Sequence, residues 1–433
     1  MSEQKQKKLR PRAIIFVGFR HKTDTIESVK EAGYKTILFT KQQQLSLPAN
    51  LFDEVIELDI LDRTHLETVI TQIKPRYNVK SIISNYEHFV VPRSFIAEHL
   101  GIPSCSVYSA CATRNKALQR HALKFMPENV DSRLVTTQSQ ALKAFKALGE
   151  DVYFKVISGV KSGLVFHCRT KEDVENAFIT TKQNLQHLQA DLLDDYQYCD
   201  FQFSYPSPKT HFLVEKAEAG TQITIASLTN SHRIWHAPSA CDIYTAKDIG
   251  REDSFLAFRI TPSRADKTTI TKAKKVTETA MRILGMQHCC AHAELIIKPD
   301  GSVKLIEIAS RMGGYRAQMY ETAYGLRLNN LLVKAVIGKT IKTRKAPLQY
   351  VSQVEIFAQE TGTLQQVNNF DILSRDPLVK NLRQKKVVGD TVGKAKDGYE
   401  NILSFMVTGK TYEEVYQKSL YYQEFLSVVT EPI

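Results

Sequence analysis

Between Pro11 and Ala112, short apolar runs alternate with stretches of helical periodicity. The run "AIIFVGF" is followed by the amphipathic "TDTIESVKEAGY" and then by "KTILFT". "DEVIELD", a polar–apolar helix near His65 to Ile73, "VKSIISN", a helix around Val91 to His99, and "GIPSCS" continue the series. β-rich runs separated by helices predict an open parallel sheet, because parallel neighbours need a crossover long enough to hold a helix. The first strand lacks the GxGxxG phosphate loop, since Gly18 is followed by Phe19 and Arg20, so a dinucleotide cofactor is not expected.

Beyond Ala112 the rhythm changes. A helix is predicted over Thr113 to Lys124, then strands at "DVYFKVIS", "LVFHC", "THFLVEKA" and "TQITIASL". Thr268 to Leu284 reads as a long amphipathic helix stopped by Gly285. A hairpin follows, then a helix at Leu328 to Ile337. From about Lys345 come the strands "VSQVEIFA" and "NILSFMVTG" and a last helix starting near Thr411. The expected organisation is therefore α/β in three parts: an open parallel domain with a basic tail (1–112), a central region (113–344) and a small α/β lobe (345–433).

The hairpin "AELIIKPDGSVKLIEIASR" carries an electrostatic oddity. If Lys298 opposes Val303 across the Pro299–Ser302 turn, Glu294 faces Glu307. Like charges in opposed positions weaken a strand pair. A hard divalent cation between or beside them reverses the sign, because Mg²⁺ takes carboxylate, water and phosphate oxygens together. His292 lies two residues earlier on the same strand face. Surface glutamates on a solvent-facing hairpin are the bland alternative.

Other residues point the same way. Lys155 interrupts the apolar strand "YFKVI", where an ammonium needs an acceptor or a route to solvent. "SGVKSG", Ser158 to Gly163, is rich in small residues that let backbone approach an anion, although it is not a Walker loop. Lys116 opens a predicted helix, and Arg311 follows Glu307 by four residues, ahead of Gly313 and Gly314. Each lysine could equally sit in an ordinary ion pair.

In this order the motifs resemble the ATP-grasp superfamily, in particular its carboxylate–amine ligases, over nearly the whole chain. "RNKALQR" resembles the motif carrying a nucleotide-binding lysine, Lys116. "YFKVISGVKSG" is similar to the strand lysine and lid, matching Lys155, Ser158, Ser162 and Gly163. "FLVEKAEAGTQITI" looks like the adenine hinge, which implies that Glu215 orients the adenine amino group and that Lys216 and Ala217 contribute contacts. The metal-bearing hairpin matches Glu294 and Glu307, with Arg311 on the transferred phosphate. Two positions depart from the family. Gln222 stands where an acidic ribose ligand is usual, and its amide can still bond hydroxyls. Ala309 replaces an asparagine of the metal site, leaving water or phosphate to fill that position or one of two cations weakly held.

The resemblance implies the ATP-grasp fold and an ATP-dependent carboxylate–amine ligase acting through an acyl phosphate, with Lys155 and Arg311 as catalytic residues. It implies ATP and Mg²⁺, with Mn²⁺ as a substitute. The alternatives are another ATP-grasp ligase or phosphotransferase and a degenerate nucleotide-binding protein. Small carboxylates and amines, amino acids above all, are the expected substrates, with Arg316 and Gly313-Gly314 helping to orient a substrate carboxylate. His236, Cys241 and Tyr244 are placed near the acceptor, although a packing role serves each as well.

Composition changes little. The net charge of +12 comes from Lys and Arg spread along the chain, without a basic module suited to specific nucleic-acid binding. Seven scattered cysteines form no CxxC pair and suit neither a disulfide scaffold nor a zinc site, so a reducing cytoplasm is expected. No apolar run is long enough for a membrane span. Self-association as a homodimer is expected by family analogy alone.

Overall fold

A computed structural model describes residues 10–19, 21–41, 47–84, 86–159, 163–185, 195–199, 206–253, 255–342 and 346–433. The basic tail before residue 10 lies outside them. The first unit runs β1 (Arg12–Val17), α1 (Thr23–Glu31), β2 (Lys35–Thr40), β3 (Glu54–Glu57), α2 (Arg63–Ile73), β4 (Asn78–Ile83) and α3 (Val90–Leu100). Its strands pair in the order β3-β2-β1-β4, every pair parallel, as the alternation predicts. Residues Ala13 to Val17 are buried whichever way they point. Ala13, Ile15 and Val17 enter one core and Ile14 and Phe16 the other. A parallel strand covered on both faces reads as a continuous apolar run for that reason. "GIPSCS" is a loop into α4 (Val107–Arg114).

The single helix expected over Thr113 to Lys124 is two. Helix α4 stops at Arg114, Asn115 adopts an extended backbone, and α5 (Lys116–Ala122) starts afresh. The Asn115 side chain accepts from the N–H groups of Ala117 and Leu118, the ordinary work of an N-cap. The break turns Lys116 into the first residue of a helix. The Lys116 N–H donates to Ile157 O at 2.7 Å, tying α5 to the next sheet.

That sheet comprises β5 (Ser132–Val135), β6 (Val152–Val156), β7 (Val165–Cys168) and β8 (Phe212–Lys216), in the antiparallel order β5-β8-β6-β7. Helices α6 (Gln138–Ala147) and α7 (Lys171–Asn184) cover the face made by Val152, Phe154, Val156, Phe212 and Val214. Strand alternation sends Tyr153, Lys155, Leu213 and Glu215 to the opposite face.

The largest sheet holds β9 (Thr221–Thr229), β10 (Ile234–His236), β11 (Cys241–Thr245), β12 (Leu256–Thr261), β13 (Cys289–Ile297) and β14 (Val303–Ala309). Helix α8 (Lys267–Ile283) buries one face against Ile223, Ile225, Ala293, Leu295 and Leu305. Helices α9 (Arg316–Tyr324) and α10 (Leu328–Val336) cover the far part of the other face over Ala226, Leu228 and Cys290. The remaining chain runs β15 (Tyr350–Ile356), β16 (Gly362–Val367), α11 (Phe370–Arg375), β17 (Val379–Gln384), β18 (Thr391–Val392), β19 (Leu403–Gly409), α12 (Tyr412–Phe425) and β20 (Val428–Glu431). Strand β15 pairs with β12, so β15, β19 and β17 prolong the large sheet. No helix among the described residues is long and apolar enough to cross a membrane, and all seven cysteines are free and buried.

The hairpin β13–β14 contains a feature that no pattern announced. Near the turn Ile297 pairs with Val303 and Leu295 with Leu305, one residue tighter than expected. The register then shifts, Ile306 is left over as a bulge, and Glu294 pairs with Glu307. Without the bulge, Leu305 and Glu307 would share a face, because side chains alternate with a period of two. With it, Leu305 enters the core and Glu307 comes out beside Glu294. The side-chain amide of Gln119 pairs with both backbone groups of Ile308, at 2.8 and 3.0 Å, closing the exposed edge of β14 with α5.

Candidate functional site

One row of side chains crosses the uncovered part of the large sheet. Glu307 on β14 pairs with Glu294 on β13, which pairs with Thr224 on β9, which pairs with Cys241 on β11. Directly paired residues of antiparallel strands project to the same side, so the carboxylates share a face by construction. Gln222 and His292 flank the row. Gln222 Nε2 lies 3.4 Å from Glu294 Oε2, and His292 Nε2 lies 3.4 Å from Glu294 Oε1. Burial alone would raise the Glu294 pKa, but His292, Arg311 and Lys116 outweigh it and hold the carboxyl at about 2. Burial lowers His292 to about 4 against the pull of Glu294, which leaves the ring neutral near pH 7.

Cations line the side nearer β14. Lys116 Nζ stands 3.2 Å from Glu307 Oε1. On the neighbouring sheet Lys155 pairs with Glu215, whose other oxygen accepts from Arg120 Nε at 2.6 Å. Arg120 Nη2 also donates to the carbonyl of the bulged Ile306. One guanidinium thus joins the bulge to the Lys155 pair. Burial opposes ionisation of Glu215, yet Arg120 and Lys155 bring its pKa down to about 2. Burial lowers the Lys155 pKa, Arg120 and Lys116 push the same way, and Glu215 resists.

Arg311 lies on the loop after β14 and pairs with Glu87, from the turn between β4 and α3. Burial would raise the Glu87 pKa, but Arg311, Arg114 and Lys116 pull it below the usual carboxylate range. The same loop is tied down by Thr113, whose Oγ1 lies 2.9 Å from Ser310 Oγ, and by Arg93, which donates to Ser310 O. Next comes Gly313, where an added Cβ would run into the His292 ring and lie 2.9 Å from Arg316 Cγ. Only glycine lets the loop lie this close.

The structure brings Lys116, Glu294, Glu307 and Arg311 together at one end of the large sheet, with Lys155 and Glu215 on the facing sheet. Glu215 has both oxygens engaged by cations. Gln222 reaches toward Glu294. Lys216 is exposed and Ala217 half-buried, on the segment that crosses from β8 to β9. That crossing is tight: Gly220 has φ +149°, and a Cβ there would strike Ile297 O. Ser158 is buried, Gly163 is half-buried, and Ser162 lies outside the described residues. Cys241 belongs to the row beside Thr224. His236 is occupied with Ser227 at 2.8 Å and Tyr244 with Tyr412 at 2.7 Å.

Sequence reading missed Arg120, Glu87 and Arg114. Arg120 left a trace, since it follows Lys116 by four residues and therefore shares its helix face. Glu87 left none, because its partner is far along the chain.

The donor set has limits that define what it can hold. Among the described residues no group of three or more His, Cys, Asp or Glu side chains forms a ready metal cage. Ala309 faces His292 across the hairpin and supplies no oxygen. Two carboxylates and an amide suit a hard cation that keeps water and takes its other ligands from phosphate.

No protein-family model matches the sequence, and a search of curated proteins returns no match. Solved structures do match across nearly the full length. The L-amino acid ligase from Bacillus licheniformis superposes with a TM-score of 0.76 at 16% identity, over 98% of this chain and 100% of that one. An ADP complex of N5-carboxyaminoimidazole ribonucleotide synthetase gives 0.69 at 16% identity, over 96% and 98%. The biotin carboxylase domain of Hydrogenobacter thermophilus 2-oxoglutarate carboxylase, solved with MgADP and bicarbonate, gives 0.66 at 14%, over 96% and 90%.

Proposed function

We propose that this chain, which has the ATP-grasp fold, is an ATP-dependent ligase that joins a carboxylate to an amine. The observation that carries the reading is the bulged hairpin, which sets Glu294 against Glu307 with Lys116 and Arg311 beside them. A surface role gives no reason to set half-buried carboxylates face to face within reach of several cations. The solved relatives named above, two of them holding ADP, support the same reading.

In this reading the segment Glu215 to Ala217 borders the base, and Gln222 lies between it and the carboxylate pair, near the sugar. Lys116 and Lys155 face the phosphates, with Ser158 and Gly163 on the connection between β6 and β7 beside them. Glu294 and Glu307 would hold Mg²⁺, which when bound draws charge from the terminal phosphate oxygens. A substrate carboxylate oxygen attacks the γ-phosphorus and ADP departs, giving an acyl phosphate. The amine nitrogen then attacks the acyl carbon, the C–O bond to phosphate breaks, and the nitrogen loses a proton. Arg311 and the lysines stabilise charge where it spreads over the transferring group. Exclusion of water from the site would protect the mixed anhydride.

The test is incubation with ATP, Mg²⁺ and pooled amino acids or small carboxylates, reading ADP and product masses together. Glu307→Gln should lower turnover at least about 100-fold, the scale on which a lost electrostatic contact to a transferring group is felt, while the protein still folds. Unchanged turnover and Mg²⁺ dependence in that variant would remove Glu307 from the site. ADP formed without an amide mass would favour phosphotransfer.

A further inference from the structure

The row Glu307, Glu294, Thr224 leads past the carboxylate pair to Arg316. Its Nε donates to Thr224 Oγ1 at 3.0 Å, and its Nη1 donates to Gly314 O at 3.2 Å and lies 3.7 Å from Met319 Sδ. These acceptors are a hydroxyl, a carbonyl and a thioether, and none is charged. The Nη2 donors have no partner among the described residues, although Arg316 as a whole is only 2% exposed. Three other guanidinium groups around this sheet are neutralised, whereas Arg93, also 2% exposed, donates to Ser310 O and has Nε and Nη2 unpaired among the described residues. Arg120 has Glu215, Arg311 has Glu87, and Arg259 has Glu355 at 2.6 Å. A buried cation without an anion is costly, and the fork of a guanidinium matches a carboxylate.

The position of Arg316 is built. Tyr315 adopts a left-handed backbone with φ +61°, uncommon for a residue with a side chain. Its hydroxyl donates to Glu355 Oε1 at 3.1 Å, and the Arg259 guanidinium lies 5.5 Å from its ring centre. That turn makes Arg316 the first residue of α9, with Gly313 flush against its Cγ. Strands lie about 4.8 Å apart, so Thr224 stands roughly 10 Å from β14, across Glu294 from the phosphate-facing lysines.

We propose that Arg316 binds the carboxylate of the amine acceptor, one that is never phosphorylated. The acceptor is then an amino acid or a similar amino-carboxylate, and the amide product keeps a free carboxylate. This rests on the ligase reading and adds the chemical class of the second substrate. An arginine serving the donor or the phosphate would have to reach back across Glu294.

The experiment separates the two half-reactions. Hydroxylamine traps an acyl phosphate as a hydroxamate and carries no carboxylate. Wild type, Arg316→Ala and Arg316→Lys are assayed with ATP, Mg²⁺ and a donor mixture. The acceptors are hydroxylamine, L-alanine and L-leucine, and the primary amides of the two amino acids. Wild type should prefer the free acids over their amides by about 100-fold in kcat/KM, since a site built to bond a group rejects analogues lacking it. In Arg316→Ala that preference should fall to a few-fold, chiefly through acceptor KM. Hydroxamate formation should fall by less than about tenfold, and lysine should restore part of the preference. Parallel loss of hydroxamate and amide, or an acid preference that survives in Arg316→Ala, would overturn the assignment. So would a wild type indifferent to the acceptor carboxylate, a comparison that requires no variant. If wild type forms neither product, the ligase reading fails separately. Calorimetric titration of the MgADP-loaded protein with L-alanine then decides. Saturable binding weakened in Arg316→Ala upholds the carboxylate site, and its absence overturns it.

Discussion

Replacing Glu215 by Gln removes the negative charge shared by two buried cations. Arg120, Lys155 and Glu215 have side chains 5%, 7% and 3% exposed, so water cannot screen the change. The amide keeps one acceptor for Arg120 but turns donors toward the Lys155 ammonium. Breaking a buried pair from one side costs about 3–5 kcal/mol, because the remaining charge stays desolvated. Titration gives a second route to the magnitude. A carboxyl at about 2 in the fold, against an ordinary 4.5, is worth about 3 kcal/mol at neutral pH, at about 1.4 kcal/mol per pH unit. The sign follows from the depressed folded value. The contribution is complete above the unfolded pKa and disappears as pH falls from about 4.5 toward 2. Urea unfolding of wild type and Glu215→Gln, followed by far-UV circular dichroism at pH 7, 5, 4 and 3, measures the difference. A gap of about 3–5 kcal/mol at pH 7 and 5 that narrows at pH 4 and again at pH 3 is expected. Equal stability at pH 7, or a gap that does not narrow, would refute the triad as the source.

Asn115→Ala removes the α5 cap and should cost about 1 kcal/mol in unfolding experiments. Because Lys116 is the next residue, the KM for ATP should rise as well. Gly313→Ala drives a methyl into His292 and Arg316. A loss of about 1–3 kcal/mol is expected from overpacking, together with a drop in turnover measured by ADP release. Glu87→Gln leaves the Arg311 guanidinium without its partner and should destabilise by about 3 kcal/mol, read from the urea midpoint. An unchanged midpoint would show that Arg311 finds another acceptor.

The sequence by itself determined what local rules control. Strand parity put Lys155 on the side of its sheet away from the helices. Gly285 ends α8 one residue beyond its cap, Thr411 caps α12, and the turn at Pro299 to Ser302 folds β13 onto β14, because each signal acts within a few residues. The opposition of Glu294 and Glu307 was legible for that reason, being a property of one hairpin.

Tertiary structure decided the rest. The expected register and the observed one agree at Glu294 but differ near the turn. Only contacts from outside the hairpin, Arg120 on Ile306 O and Leu305 N–H on Glu128 O, show where the extra residue goes. That bulge decides which face Leu305 and Glu307 take. Glu87 meets Arg311, and Arg316 reaches Thr224 with no anion of its own, across sequence separations that no periodicity spans. Charge acts through space. Its partners are chosen by which sheets and helices come together, and hydrophobic burial brings those together without regard to the order of the residues along the chain.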